Sequence, residues 1–229
     1  MQLASFKAVR AVVFDFDGTL AETNIDFALM RRRIIEHIKA WGLWHADADE
    51  RRYVLELIAY AEDKLAAEPR RRVAYRAEAD QILEDVEMLT CPQAHPFPGI
   101  VPGLHRLADR GYGVGIITRN CRRGVKAVTD RYHLRHDVLL TRDDVEKVKP
   151  DKAHLLQALA MLEAEPDEAV MVGDHPTDIE VGKAAGTLTC GVLTDRTERD
   201  ALAAAGADLV VESAARLADL LCHDGETAC

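Results

Sequence analysis

The chain has 229 residues and a formal net charge of −10, with 30% charged and 48% apolar residues. That length holds one sizeable core, or one domain carrying a smaller insert. The acidic balance argues against a nucleic-acid groove, and no apolar run reaches membrane-spanning length or opens the chain as a signal peptide.

Five scattered cysteines, Cys91, Cys121, Cys190, Cys222 and Cys229, form no C-x-x-C pair. Their odd count fits a reducing compartment better than a disulfide framework or a zinc site, so the expectation is a cytoplasmic protein. Basic clusters at Arg31 to Arg33 and Arg70 to Arg72 are surrounded by acids and read as charged helix faces.

In chain order, Ala11 to Asp15 reads as a buried, Val-rich strand that a Gly18-Thr19 step ends abruptly. Residues 16 to 22 read as a loop. From Ile25 to about Leu89 the pattern is helical throughout. Phe27, Met30, Ile34, Ile35, Ile38 and Trp41 form one apolar stripe, which Gly42 ends. Tyr53, Val54, Leu57, Ile58, Ala61 and Leu65 form a second, which Pro69 breaks; Val73, Ala79, Ile82, Leu83, Val86 and Leu89 form a third. Residues 91 to 103, with four prolines and two glycines, read as a connector and hinge. Strands are then expected at Val114–Thr118, Asp137–Leu140, Ala169–Gly173, Leu188–Val192 and Asp208–Val211. Helices are expected at Val101–Arg110, Arg122–Tyr132, Asp151–Leu162, Thr177–Ala185, near Ala201, and at Ala214–Cys222. Strands alternating with helices imply a parallel sheet covered on both faces. Residues 1–21 and 96–229 are therefore read as one α/β domain, and residues 22–95 as an all-helical insert.

Ligands of such sheets sit at the carboxyl ends of strands. The first strand ends at Asp15 and Asp17, two carboxylates that lose water and repel each other unless something such as a divalent cation offsets the cost. The Val114 strand ends at Thr118, Arg119 and Asn120. Lys147, Lys149 and Pro150 follow the Asp137 strand, and Gly173, Asp174 and Asp178 follow the Ala169 strand. Carboxylates, a hydroxyl and an ammonium on one edge are the inventory of phosphoryl transfer. Taken singly, each has a plainer role: Thr118 as a strand former, Asp178 as a first-turn helix residue, Asp174 as part of a turn.

Together the motifs resemble the haloacid dehalogenase superfamily, in the subgroup with a helical cap after the first motif. DFDGTL at Asp15 to Leu20, IITRN with Thr118, Lys149 before Pro150, and GDHPTD at Gly173 to Asp178 match its four motifs in order. The resemblance implies a Rossmann-like core with an inserted cap domain. It implies that Asp15 attacks phosphorus to give an aspartyl-phosphate, that Asp17 protonates the leaving oxygen and then activates water, and that Lys149 neutralises charge. Thr118 and backbone N–H groups near Gly18 and Asn120 would hold the phosphoryl group. Mg²⁺ would be bound by Asp15, Asp174 and Asp178 and by the Asp17 carbonyl. Of the two lysines, the resemblance favours Lys149. Members that cleave carbon–halogen or carbon–phosphorus bonds lack an acid at the position of Asp17, so its presence points to phosphate esters.

The insert is expected to exclude water and set specificity. Arg31 lies on its first stripe and is a candidate for a second acidic group of the substrate, against a role in covering apolar surface. Arg119 and Asn120 are further substrate-binding candidates, and Asp26 a helix cap. The expected partner is a small phosphorylated metabolite, with no nucleic acid and no membrane, and the chain a monomer with a homodimer as the alternative. The expected activity is Mg²⁺-dependent hydrolysis of small phosphate monoesters, of the phosphoglycolate-phosphatase kind. The alternatives are a phosphomutase of the β-phosphoglucomutase kind and a non-catalytic binding protein on the same fold.

Overall fold

In the computed structural model, residues 3–195, 197 and 199–223 are described. The chain divides into two compact units, one of residues 1–23 and 93–229 and the other of residues 24–92.

The first unit is built on six parallel strands: β1 (Ala11–Phe14), β4 (Gly113–Ile117), β5 (Val138–Leu140), β6 (Ala169–Gly173), β7 (Leu188–Val192) and β8 (Leu209–Val211). Their order is β5-β4-β1-β6-β7-β8. The chain moves outward from β1 through β4 to β5, then crosses back to β6 and continues the other way. The strand order therefore reverses at β1, where such sheets open a crevice. Alternation along the strands serves both faces. Val12, Phe14, Val114, Ile116, Val170 and Val172 pack against helices α4 (Ile100–Asp109), α5 (Arg122–Tyr132) and α9 (Ala214–His223). Ala11, Val13, Ile117, Val138 and Met171 pack on the other side against α6 (Ala153–Met161) and α7 (Pro176–Ala185). A short helix α8 (Arg199–Ala204) joins β7 to β8.

Two details depart from the sequence reading. A 3-10 turn, Leu3–Ala8, precedes β1, and a two-residue strand β2 (Ala21–Glu22) lies within the stretch read as loop. It pairs antiparallel with β3 (His95–Pro96), inside the proline-rich connector, with Ala21 opposite Pro96 and Glu22 opposite His95. Strands this short carry no periodicity, and a proline sits in one of them.

The second unit holds helices α1 (Phe27–Ala40), α2 (Val54–Lys64) and α3 (Pro69–Glu87). Asp26 caps α1, its carboxylate accepting from the Leu29 N–H at 2.8 Å. Gly42, at φ +70°, follows the helix end. Pro69 is the first residue of α3 as well as a break after α2, a position where its missing N–H costs nothing. The stripes shift at their ends: Phe27, Tyr53, Val73 and Leu89 are exposed, and Tyr75 leads the buried face of α3, four residues before Ala79. Among the described residues no helix is long and apolar enough to cross a membrane. Cys91, Cys121, Cys190 and Cys222 are buried and unbridged; Cys229 lies outside the described residues.

Candidate active site

Three parallel strands end side by side, and the residue after each end is polar. Phe14 of β1 is level with Ile116 of β4 and Val172 of β6. Asp15, Thr118 and Asp174 are each the first residue beyond their strands. In-register pairing thus converts three distant sequence positions into one cluster.

Two glycines make the close packing possible. Gly18 has φ +89°, and a Cβ there would lie 2.5 Å from Asp174 Oδ2; a Cβ on Gly173 would lie 2.2 Å from Asp178 Oδ2. The carboxylates of Asp174 and Asp178 occupy the space that side chains would take.

Lys149 is the centre of charge. Its Nζ lies 2.5 Å from Asp15 Oδ1 and 2.6 Å from Asp178 Oδ1, with the lysine side chain 3% exposed. Burial disfavours the ammonium, but Asp15 and Asp178 outweigh burial and hold it above the usual lysine range. The Lys149 N–H points to Nδ1 of the fully buried His154 at 3.4 Å, while His154 Nε2 lies 3.1 Å from the Leu140 carbonyl. That arrangement places the imidazole proton on Nε2. Burial and the nearby Lys149 push the imidazole down to about 4, so it is neutral. Lys147 is exposed and pairs with Asp151 at 3.4 Å.

Asp178 serves in two ways at once. One oxygen takes Lys149, and the other accepts from the His175 N–H at 3.2 Å at the start of α7. Asp174 accepts from the Thr19 hydroxyl at 3.2 Å, a contact the sequence reading did not anticipate. Burial pushes the Asp15 carboxyl up to about 8, with Asp178, Asp174 and Asp17 adding to the effect and Lys149 opposing it. Burial and Asp178 push Asp174 up to about 6.

Oxygens of Asp15, Asp174 and Asp178 all lie within 4.8 Å of one another. One ammonium faces these three carboxylates, which leaves surplus negative charge in a buried site. A hard, oxygen-binding cation would satisfy both the donor set and the charge. Asp17 is not in this set through its side chain. Its Oδ2 accepts from the Thr118 hydroxyl at 2.9 Å and its Oδ1 from the Asn120 amide at 2.8 Å.

Several expected phosphate donors are occupied otherwise. The Gly18 N–H donates to the Ala21 carbonyl at 2.9 Å, and the Asn120 N–H to Thr118 Oγ1 at 3.0 Å. Asn120 is 2% exposed; its side chain grips Asp17 and accepts from the Cys121 N–H at 2.8 Å. It is an internal brace, and position 18 contributes the absence of a side chain. Arg119 is half-buried, and its charge bears on His175. Arg31 belongs to the helical unit, half-buried, with its guanidinium donating to the Glu50 carbonyl at 3.0 Å.

A family model for haloacid dehalogenase-like hydrolases matches residues 12–192. Pyrophosphatase PpaX from Bacillus cereus (strain Q1) is 31% identical over 225 residues, covering 93% of this chain and 95% of that protein. The fold is shared with a crystal structure described as a predicted phosphoglycolate phosphatase from Haemophilus somnus 129PT. That match has a TM-score of 0.62 at 18% identity and covers 93% of this chain and 98% of the other. A hydrolase from Pseudomonas syringae superposes with a TM-score of 0.61 at 21% identity, over 96% of this chain and 99% of that one.

Proposed function

Because the chain belongs to the haloacid dehalogenase-like hydrolase family, we propose that it hydrolyses small phosphate monoesters through an aspartyl-phosphate on Asp15. The observation that carries this reading is the Lys149 ammonium held between Asp15 and Asp178 beside Asp174. An Asp15 oxygen attacks phosphorus, and the phosphorus–oxygen bond to the leaving group breaks. The departing oxygen takes a proton from Asp17. Water then attacks the phosphoryl group, gives its proton to Asp17, and phosphate leaves with Asp15 restored. Thr118 has a single hydroxyl proton, now on Asp17; turned to a phosphoryl oxygen, it frees that carboxylate for proton transfer. Lys149 balances charge on Asp15 and on the phosphoryl oxygens. Asp15, Asp174 and Asp178 are the residues that would hold Mg²⁺. When bound, the ion supplies positive charge to the phosphoryl oxygens and offsets repulsion among the carboxylates.

A second substrate, inorganic pyrophosphate, is favoured by the likeness to pyrophosphatase PpaX over 93% of the chain. The chemistry is the same, with phosphate as the leaving group. The test is phosphate release from p-nitrophenyl phosphate, phosphoglycolate, sugar phosphates and pyrophosphate, with and without Mg²⁺. Metal-dependent release is expected, and the preferred compound separates ester from pyrophosphate. No release from any of them overturns the reading, and conversion between sugar-phosphate isomers would then identify a phosphomutase.

Metal binding should carry a pH signature. Between about pH 6 and pH 8 the cation must displace the proton that burial holds on Asp15. Mg²⁺ affinity is therefore expected to rise by up to about tenfold per pH unit across that window and level off above it. Thermal shifts against Mg²⁺ concentration at several pH values measure this, and affinity independent of pH would remove Asp15 from the ligand set.

A further inference from the structure

The stretch after β5 latches onto the loop after β4. Asp144 closes a turn by accepting from the Thr141 N–H at 2.8 Å and the Thr141 hydroxyl at 2.6 Å. Its other oxygen takes the Arg122 guanidinium, and Asp143 accepts from the Arg122 N–H at 2.7 Å. Between them, Arg142 is turned inward, its side chain 3% exposed. Its Nη1 donates to the Arg119 carbonyl at 2.9 Å, and its own N–H donates to the Asn120 carbonyl at 3.3 Å. One residue thus grips the two peptide carbonyls on either side of the Asn120 Cα. The Asn120 amide then reaches Asp17 Oδ1.

We propose that Arg142 is a positioning residue for the acid step, fixing Asn120 so that its amide aims the Asp17 carboxyl at the leaving oxygen. The inference rests on the proposed role of Asp17. When Thr118 turns its proton to a phosphoryl oxygen, Asn120 is the donor that keeps its hold on Asp17. It holds Oδ1 as an acceptor, so the proton sits on Oδ2. As the bond between phosphorus and the leaving oxygen breaks, its electron pair goes to that oxygen, which takes the Oδ2 proton. A guanidinium buried this deep, 3.8 Å from Asp143 and donating to the Arg119 carbonyl, fits a demand for fixed backbone geometry.

The leaving group reports the acid step alone. An alkyl phosphate such as phosphoglycolate must have its leaving oxygen protonated, whereas p-nitrophenyl phosphate departs as a stable anion. kcat/KM covers the steps through departure of the leaving group and excludes hydrolysis of the phospho-enzyme. Arg142→Met is expected to lower kcat/KM for phosphoglycolate at least about tenfold more than for p-nitrophenyl phosphate, within the range general acids contribute. Arg142→Lys, which keeps a cationic donor, should restore part of that difference and stands in if the Met variant does not fold. Asn120→Ala should show the same selective loss, and combining it with Arg142→Met should add little. Equal losses on both esters in the Arg142 variants, or no loss, would overturn the inference. Where a sugar phosphate is the better substrate, it takes the place of phosphoglycolate in this comparison. Failure of the unaltered enzyme to hydrolyse any ester would instead overturn the proposed hydrolysis of monoesters and take this inference with it.

Discussion

Replacing Asp15 with Asn is expected to lower turnover by at least about 10⁴-fold, the order seen when a covalent nucleophile is removed, while the protein stays folded. The amide cannot attack phosphorus, yet it has the same shape and keeps an oxygen for Lys149. Stability should move the other way from activity. Burial, with Asp178, Asp174 and Asp17, raises the Asp15 carboxyl to about 8 against the pull of Lys149. From about pH 4 to pH 8 the folded chain therefore holds a proton that the unfolded chain has released, and stability is lost as pH rises through that window. Asn carries no proton to lose. The metal-free variant should melt higher than the unaltered protein at about pH 8, with the difference much smaller at about pH 5 and gone at about pH 4. Near-normal turnover would refute the nucleophile assignment; equal melting at all these pH values would refute the charge-crowding account.

Lys149→Met should be damaging to fold and activity alike. The ammonium is the counter-charge for Asp15 and Asp178, and its side chain is 3% exposed. Methionine fills much of the volume but leaves the carboxylates buried without compensation. Removing one partner of a buried pair costs about 3–5 kcal/mol, because the remaining charge is neither solvated nor paired. The loss should be largest above about pH 8 and shrink toward pH 5, where a proton on Asp15 replaces part of the missing positive charge. Mg²⁺ should recover part of the stability but not the turnover, since the phosphoryl oxygens still lack their fixed cation. Urea unfolding with and without Mg²⁺, at both pH values, measures each part. A change below about 1 kcal/mol would mean that the carboxylates are compensated elsewhere.

The cluster at the strand ends was legible in the sequence because parallel pairing makes strand ends meet. Once β1, β4 and β6 are read from their β-branched runs, the positions just beyond them fall together whatever lies between. Asp15, Thr118 and Asp174 are found in this way, whereas Lys149, nine residues beyond β5, and Asp178, inside α7, are placed by the motif resemblance. Which atoms meet was not legible. Asn120 was read as facing substrate and is instead an internal brace for Asp17, because a side chain's direction after a strand depends on loop geometry that residue type does not encode. Arg142 sits in a charged stretch that matches no motif, and only the long-range fold turns it inward. His154 reads as an ordinary residue of α6; its link between Leu140 and Lys149 joins a strand end to a loop nine residues on. The helical stripes were misplaced only at their ends, where Phe27 and Val73 match the period but lie beyond the packed region.

The small ribbon of β2 and β3 has a consequence for how this protein can change over time. Glu22 and His95 are register partners, so the two ends of the helical unit leave the sheet unit side by side. Topologically, residues 24–92 are a hairpin loop. The entropy of closing a loop grows only with the logarithm of its length, each doubling adding about 0.6 kcal/mol. A segment closed off in this way can lengthen, shorten or be exchanged with little disturbance to the strand register that gathers Asp15, Thr118 and Asp174. Selection can then rewrite the helical stretch of the gene while the clustered strand ends, encoded on either side of it, are left alone.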